Sequence, residues 1–224
     1  MSEFDHLVLA TPLLSETVQT VARLLGMQPA EGGQHVGRGT RNFLLGLGNG
    51  GYLEIIGPDP EQPEAQPPRV FGIDQLTVPR LVTWAVRVSG MDAAIASARA
   101  RGLDPGDAWE MARATPAGDM LRWRLTLDPA GSHTGVVPFL IDWGNTRHPS
   151  LDLPQATLLS LIAIHPDPAM ISARLQSNLH RHRDPARHAA GAHRRRRGSV
   201  RPGHSVVTEG AVGLGCQEQR RGRH

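Results

Sequence analysis

Two short segments hold the residues best suited to chemistry. FDHLVLA (4–10) contains His6, and GYLEIIG (51–57) contains Glu54. An imidazole and a carboxylate exchange protons near neutral pH and also bind divalent ions. Both segments alternate, so Phe4 and Val8 share a face with His6, and Tyr52 and Ile56 share one with Glu54. A second group lies farther along. His148, in TRHPS, is a candidate general acid or base that follows Asp142 and Trp143 closely. In MLRWRLTL (120–127), Arg122 and Arg124 share one face with Thr126, while Leu121, Trp123 and Leu125 share the other. If the apolar face packs on helices, these arginines and Arg113 line a concave side, where guanidinium groups clamp a carboxylate or phosphate bidentately. Trp84 and Trp143 then serve as apolar walls for a ligand.

A plainer reading stands beside each of these. His6 also suits a hydrogen-bonded barrel position, Glu54 an ion pair with an arginine, and His148 a loop cap. The arginines also suit a solvent-facing strand, and the tryptophans a core. His133 sits in a glycine- and serine-bearing loop and is expected to be solvated. Gly46, Gly48 and Gly51 spell GxGxxG, but a strand-like YLEII follows them. A dinucleotide site needs a helix N-terminus at that point, so the glycines belong to a hairpin. There is no Gly-x-Ser-x-Gly elbow and no P-loop.

The elements that must position these residues recur along the chain. After the first strand and a turn at Thr11-Pro12, a helix is expected from about Ser15, its N-cap, to Gly26, its stop. NFLLGLG (42–48) and GYLEIIG then form a hairpin around Asn49-Gly50. VTWAVRV (82–88) repeats the strand and Met91 to Arg101 repeats the helix, closed by Gly102. MLRWRLTL and VVPFLIDWG (136–144) supply further strands. His6 and Trp84 are 78 residues apart, and Gly26 and Gly102 are 76 apart, the mark of a duplicated unit. This gives modules at 4–57 and 81–150, joined by a proline-rich linker at 58–80. A third unit opens at 157–173 with a strand LLSLIAI (158–164) and a helix from Ala169.

FDHLVLATP, GGYLEIIGPDP, RLVTWAVRV, RWRLT and FLIDWGNTRHP, taken in order, resemble the glyoxalase-like branch of the vicinal-oxygen-chelate superfamily over roughly residues 4–172. The resemblance implies an α+β fold in which paired βαβββ modules form a curved mixed sheet around a pocket. It implies that the first and last strands of each module offer metal ligands, which places His6 and Glu54 in that role. Asp142 lies near the position of Glu54 in the second module, and Trp84, which binds no metal, stands at that of His6. The expected cofactor is one divalent ion (Mn, Fe, Ni or Zn) polarising paired substrate oxygens. A metal-free pocket fits the incomplete ligand set equally well. The implied function is a lyase, isomerase or dioxygenase-like enzyme for an oxygenated, anionic metabolite, with Glu54 or His148 as base. The alternative is a protein of the same fold that sequesters a small molecule without reacting.

Charge separates the body from the end of the chain. Residues 1–173 hold 18 acids against 12 arginines, a balance of −6, and residues 174–224 hold 12 arginines against 3 acids, a balance of +9; together these give the net +3. The last stretch has too little apolar surface to fold and is expected to be a disordered basic tail or a frameshifted reading of a GC-rich gene. Without aromatics to stack on bases, it is a poor nucleic-acid binder. At 39% hydrophobic the body can bury a core, yet no run nears the ~18 apolar residues of a membrane span. Cys216 is the sole cysteine, so a disulfide framework within the chain is excluded. The N-terminus lacks a signal-peptide layout. The expected setting is the cytoplasm, with a small-molecule ligand, no membrane, and a homodimer as one possible arrangement.

Overall fold

Asn49-Gly50 shows how local chemistry builds the first half. Both residues have positive φ, 51° and 77°, the geometry of a two-residue turn whose twist matches its strands. The computed structural model, which describes residues 3–65, 68–127 and 135–178, places this turn between β3 (Thr40–Gly48) and β4 (Gly51–Pro58). Before them come β1 (Glu3–Ala10), α1 (Leu14–Leu25) and β2 (Ala30–His35). The order then repeats as β5 (Arg80–Arg87), α2 (Met91–Ala100), β6 (Ala108–Ala114), β7 (Met120–Thr126) and β8 (Phe139–Asp142), followed by α3 (Pro168–Asn178). Helix α1 ends on Gly26 in the left-handed conformation, while its N-cap position is Leu13 rather than Ser15.

The strands close into a barrel in the order β1-β4-β3-β2-β6-β7-β8-β5, so the fold is α+β with two βαβββ units. Within each unit the outer pair is parallel, β1 with β4 and β5 with β8. The units meet along an antiparallel β1–β5 seam and, on the other side, at the single pair Gln34↔Ala114 of β2 and β6. Helix α1 lays Leu14 and Val18 on the outward residues Leu7, Leu53 and Ile55. Helix α2 sets Met91 and Ile95 on Val86 and Leu140. With both faces covered, β4 is buried over seven successive residues, and its alternation separates cavity from helix layer rather than core from solvent.

Against β5, β1 shifts register between Phe4 and His6. Asp5 is therefore the extra residue of a β-bulge, a device that re-aims side chains. The parallel registers also correct the expected equivalence between the halves. His6 lies opposite Tyr52, and Ala85 lies opposite Phe139. The counterpart of His6 is thus Ala85, not Trp84, and that of Glu54 is Ile141, not Asp142. Residues 158–164 form no strand element, although Leu158 N–H donates to Leu47 O at 3.1 Å. Helix α3 runs past residue 174 to Asn178. The expectations for the remainder of the tail, 179–224, and for His133 fall outside the described residues.

Candidate functional site

The bulge at Asp5 sets up the site. The Asp5 side chain is fully buried, and three N–H groups converge on it. His6 Nδ1 donates to Oδ1 at 2.6 Å, and Oδ2 accepts from His148 Nε2 at 2.9 Å and from Trp143 Nε1 at 3.2 Å. Burial pushes the Asp5 carboxyl up, but the hydrogen bonds from His148 and His6 outweigh it and hold it well below the usual carboxylate range. As a persistent anion Asp5 only accepts, which fixes the proton of His6 on Nδ1 and turns Nε2 toward the barrel interior.

There His6 Nε2 faces Glu54 Oε2 at 3.7 Å, and His35 Nε2 faces Glu54 Oε1 at 3.9 Å. Asn42 Nδ2 donates to Glu54 Oε1 at 2.6 Å. Burial lowers His35 to about 4, despite the Glu54 charge, so this ring is neutral at pH 7. Tyr52 stacks on His6 with ring centroids 4.7 Å apart. Burial, then the charges of Asp5 and Glu54, push its hydroxyl well above the ordinary phenol value, so it stays protonated.

Arg113 enters from the other half. It is 4% exposed, and burial lowers its pKa against the pull of Tyr52 and Glu54. Among the described residues no carboxylate lies within 4 Å of its guanidinium. The Asn42 Oδ1 atom is buried without a hydrogen-bond partner. Both groups lie over Gly32, where a Cβ would come within 2.1 Å of Asn42 Oδ1 and 3.0 Å of Arg113 Nη1. The absence of a side chain there makes room for them. A cation and an acceptor are thus brought together above Gly32 at the edge of one cavity. The cavity they share holds about 40 Å³, and on this measure one water needs roughly 10–15 Å³.

The structure sorts the residues singled out from sequence. His6, Glu54, Arg113 and Trp143 line the cavity. His148 reaches the site through Asp5 without lining the cavity, and its Nδ1 accepts the Ser150 N–H. Asp142 points outward, where Oδ2 accepts the Gly90 and Met91 N–H groups at the start of α2. Arg122 and Arg124 also face away from the cavity, and Arg124 pairs with Asp92 of α2 at 2.8 Å. Trp84 donates to Val136 O at 2.8 Å, outside the cavity. The corrections at Asp142, Arg122 and Arg124 have one cause. A period of two separates the faces of a strand but does not say which is concave, and here the apolar faces of β7 and β8 turn inward. Asp5, His35, Asn42 and Tyr52 were not singled out as functional; the polar positions of HVGRGTRN (35–42) were the available signal for two of them.

The expected divalent ion can be tested on the donors present. His6 and Glu54 face each other, but the equivalent second-half positions, Ala85 and Ile141, carry no donor. Among the described residues no group of three or more His, Cys, Asp or Glu side chains is placed to hold a metal ion. The structure therefore does not bring Asp142 to His6 and Glu54, because Asp142 faces the start of α2.

Residues 4–179 match the family described as glyoxalase-like domain. Solved structures similar to the chain include a hypothetical protein from Staphylococcus aureus, at 16% identity and TM-score 0.49; the match covers 65% of this chain and 60% of that one, less than two thirds of its length. Methylmalonyl-CoA epimerase from Mycobacterium tuberculosis is similar at 22% identity and TM-score 0.43, covering 63% of this chain and 87% of that one. No curated protein matches the sequence. No helix among the described residues is long and apolar enough to cross a membrane.

Proposed function

Because the chain belongs to the glyoxalase-like family of the vicinal-oxygen-chelate superfamily, we propose that its barrel cavity binds the anionic end of an oxygenated metabolite and catalyses proton transfer at the carbon beside it, as a lyase or isomerase does. The observation that carries this reading is Arg113, a buried cation with no carboxylate within 4 Å among the described residues, sharing a cavity with the Glu54 carboxylate. Arg113 takes the substrate anion, and Asn42 Oδ1 accepts a hydroxyl or amide proton. Glu54 removes the proton from carbon, and the C–H electron pair moves onto the adjoining carbonyl oxygen. Tyr52, held protonated, donates to the oxygen where that charge collects. His6, with its proton fixed on Nδ1, presents Nε2 to the proton that Glu54 has taken. Asp5 and His148 act behind it, as positioning residues.

A divalent ion would have His6 and Glu54 as its donors and would supply Lewis-acid polarisation of a carbonyl oxygen; none of these steps is routed through it. The apolar second half favours a second reading, in which the cavity holds its ligand without reaction. The two separate in D₂O. Candidate 3-oxo carboxylic acids and malonic half-esters, in which the carbon beside the carboxylate carries hydrogen and a second carbonyl, are incubated with the protein, and hydrogen exchange at that carbon is followed by NMR. Exchange that vanishes in Glu54→Gln supports the enzyme. Saturable binding without exchange in any acid leaves the sequestering reading.

A further inference from the structure

The cavity around Arg113 has a larger neighbour. A second chamber of about 400 Å³ lies beside it, walled by Val82, Thr83, Pro105, Thr126 and Val137. Phe71, Leu127 and Phe139 line both spaces, so these three side chains form the neck between them. The rings of Phe71 and Phe139 are 5.9 Å apart, and Phe139 meets the edge of His6 at 5.5 Å. The neck thus opens directly onto the site.

Phe71 is held there at a cost. Its φ is 60° and its ψ 20°, followed by Gly72 at 65° and 24°. The left-handed region is unfavourable for a bulky side chain, and such strain persists where the surrounding structure needs it. Here the two successive left-handed residues turn the Phe71 ring in over the neck instead of letting it follow the chain outward.

The sizes decide what fits. The inner space takes a few atoms, enough for a carboxylate and the reacting carbon. It is polar on the first-half side and carries the open cation. The outer space is about ten times larger, and among the described residues that line it the side chains are apolar apart from those of Thr83 and Thr126. We propose that the substrate is an amphiphilic acid, whose anionic head occupies the inner cavity and whose apolar body passes the Phe71–Phe139 neck into the outer chamber. This rests on the reading of Arg113 as the anion site and adds the class of substrate. A compact hydrophilic acid would leave the outer walls wet and gain nothing from them.

The experiment is calorimetric titration of the full chain with propanoate, hexanoate and decanoate, and with the matching alcohols propanol, hexanol and decanol. Affinity is expected to rise about three- to fourfold per methylene in both series, with one-to-one stoichiometry. Thr83→Trp, which fills the outer chamber, should abolish the gain from propanoate to decanoate while leaving propanoate binding within about twofold. Phe71→Ala, which widens the neck, should preserve the gain. Circular dichroism and thermal melting establish that each variant is folded. Decanoate binding no tighter than propanoate, or a chain-length gain that survives Thr83→Trp in folded protein, overturns the proposal. The alcohols keep the two readings apart. If decanol binds as tightly as decanoate, the anion site fails and the chamber stands. If decanoate and decanol both fail to bind, the chamber fails.

Discussion

The two halves of the barrel share a backbone plan and divide its chemistry unequally. At equivalent points the first half has His6, Tyr52 and Glu54, and the second has Ala85, Phe139 and Ile141. The first half supplies a bulged carboxylate, two imidazoles and an amide. The second supplies Trp123, Leu125 and Trp143, with Arg113 as the one charged group at the cavity among its described residues. Duplication therefore gives the cavity its shape, and divergence gives it one reactive wall and one apolar wall with a cation. Polar groups facing an apolar wall are poorly screened, so each interaction there is stronger than it would be in water.

The largest test of this division removes the one charge of the apolar wall. Arg113→Met should weaken binding of any anionic ligand by about 100-fold or more, since a buried charge contact is worth several kcal/mol. The same change should leave the fold as stable or raise its stability by roughly 1–3 kcal/mol, because an unpaired buried charge is lost. Calorimetry and urea unfolding measure the two effects, and lost stability together with intact binding would break the comparison. On the reactive wall, Asp5→Asn frees the tautomer of His6. Proton exchange at carbon should fall by on the order of 10²-fold, and the imidazole ¹⁵N shifts of His6 should no longer report a single Nδ1–H form. Unchanged shifts would show that Asp5 does not position His6.

Much of this plan was readable in the residues. Asn49-Gly50, Gly26 and Gly102 punctuate the chain by backbone geometry that few other residues adopt, so the hairpin, the helix ends and the repeat came through. Strand β2, AEGGQH, has no apolar alternation and was invisible, and with it went His35. The pattern of β7 does not tell its inner face from its outer one, because a barrel buries one face inside and another beneath helices. Arg122 and Arg124 look as suitable for a pocket as Arg113 until Asp92 of α2 claims Arg124. The role of Asp5 depends on a register shift, which no periodicity announces.

A subtler test concerns His35. Its value of about 4 lies below the unfolded value near 6.5, so the unfolded chain binds the extra proton between those pH values. Stability should therefore rise with pH across that window, and acidification from 6.5 to 4 should remove about 3 kcal/mol. His35→Gln should flatten this part of the pH profile, as followed by chemical unfolding at each pH. The smallest expected effect is that of chelation. With donors on one wall only, exhaustive treatment with a chelator should change ligand affinity by less than about threefold; a larger loss on calorimetric titration would mean that the second wall contributes more than its side chains suggest.

The single pair Gln34↔Ala114 has a dynamic consequence. Along β1 and β5 the halves are sewn together by seven pairs, interrupted by two register shifts, whereas at β2 and β6 they are fastened at one stitch. Free energies of local opening follow such differences in pairing. In native-state hydrogen exchange the amides at the β2–β6 fastening should be released well before those of the β1–β5 ladder. The barrel would then flex like a clasp, with its backbone spine on the side that carries the bulge.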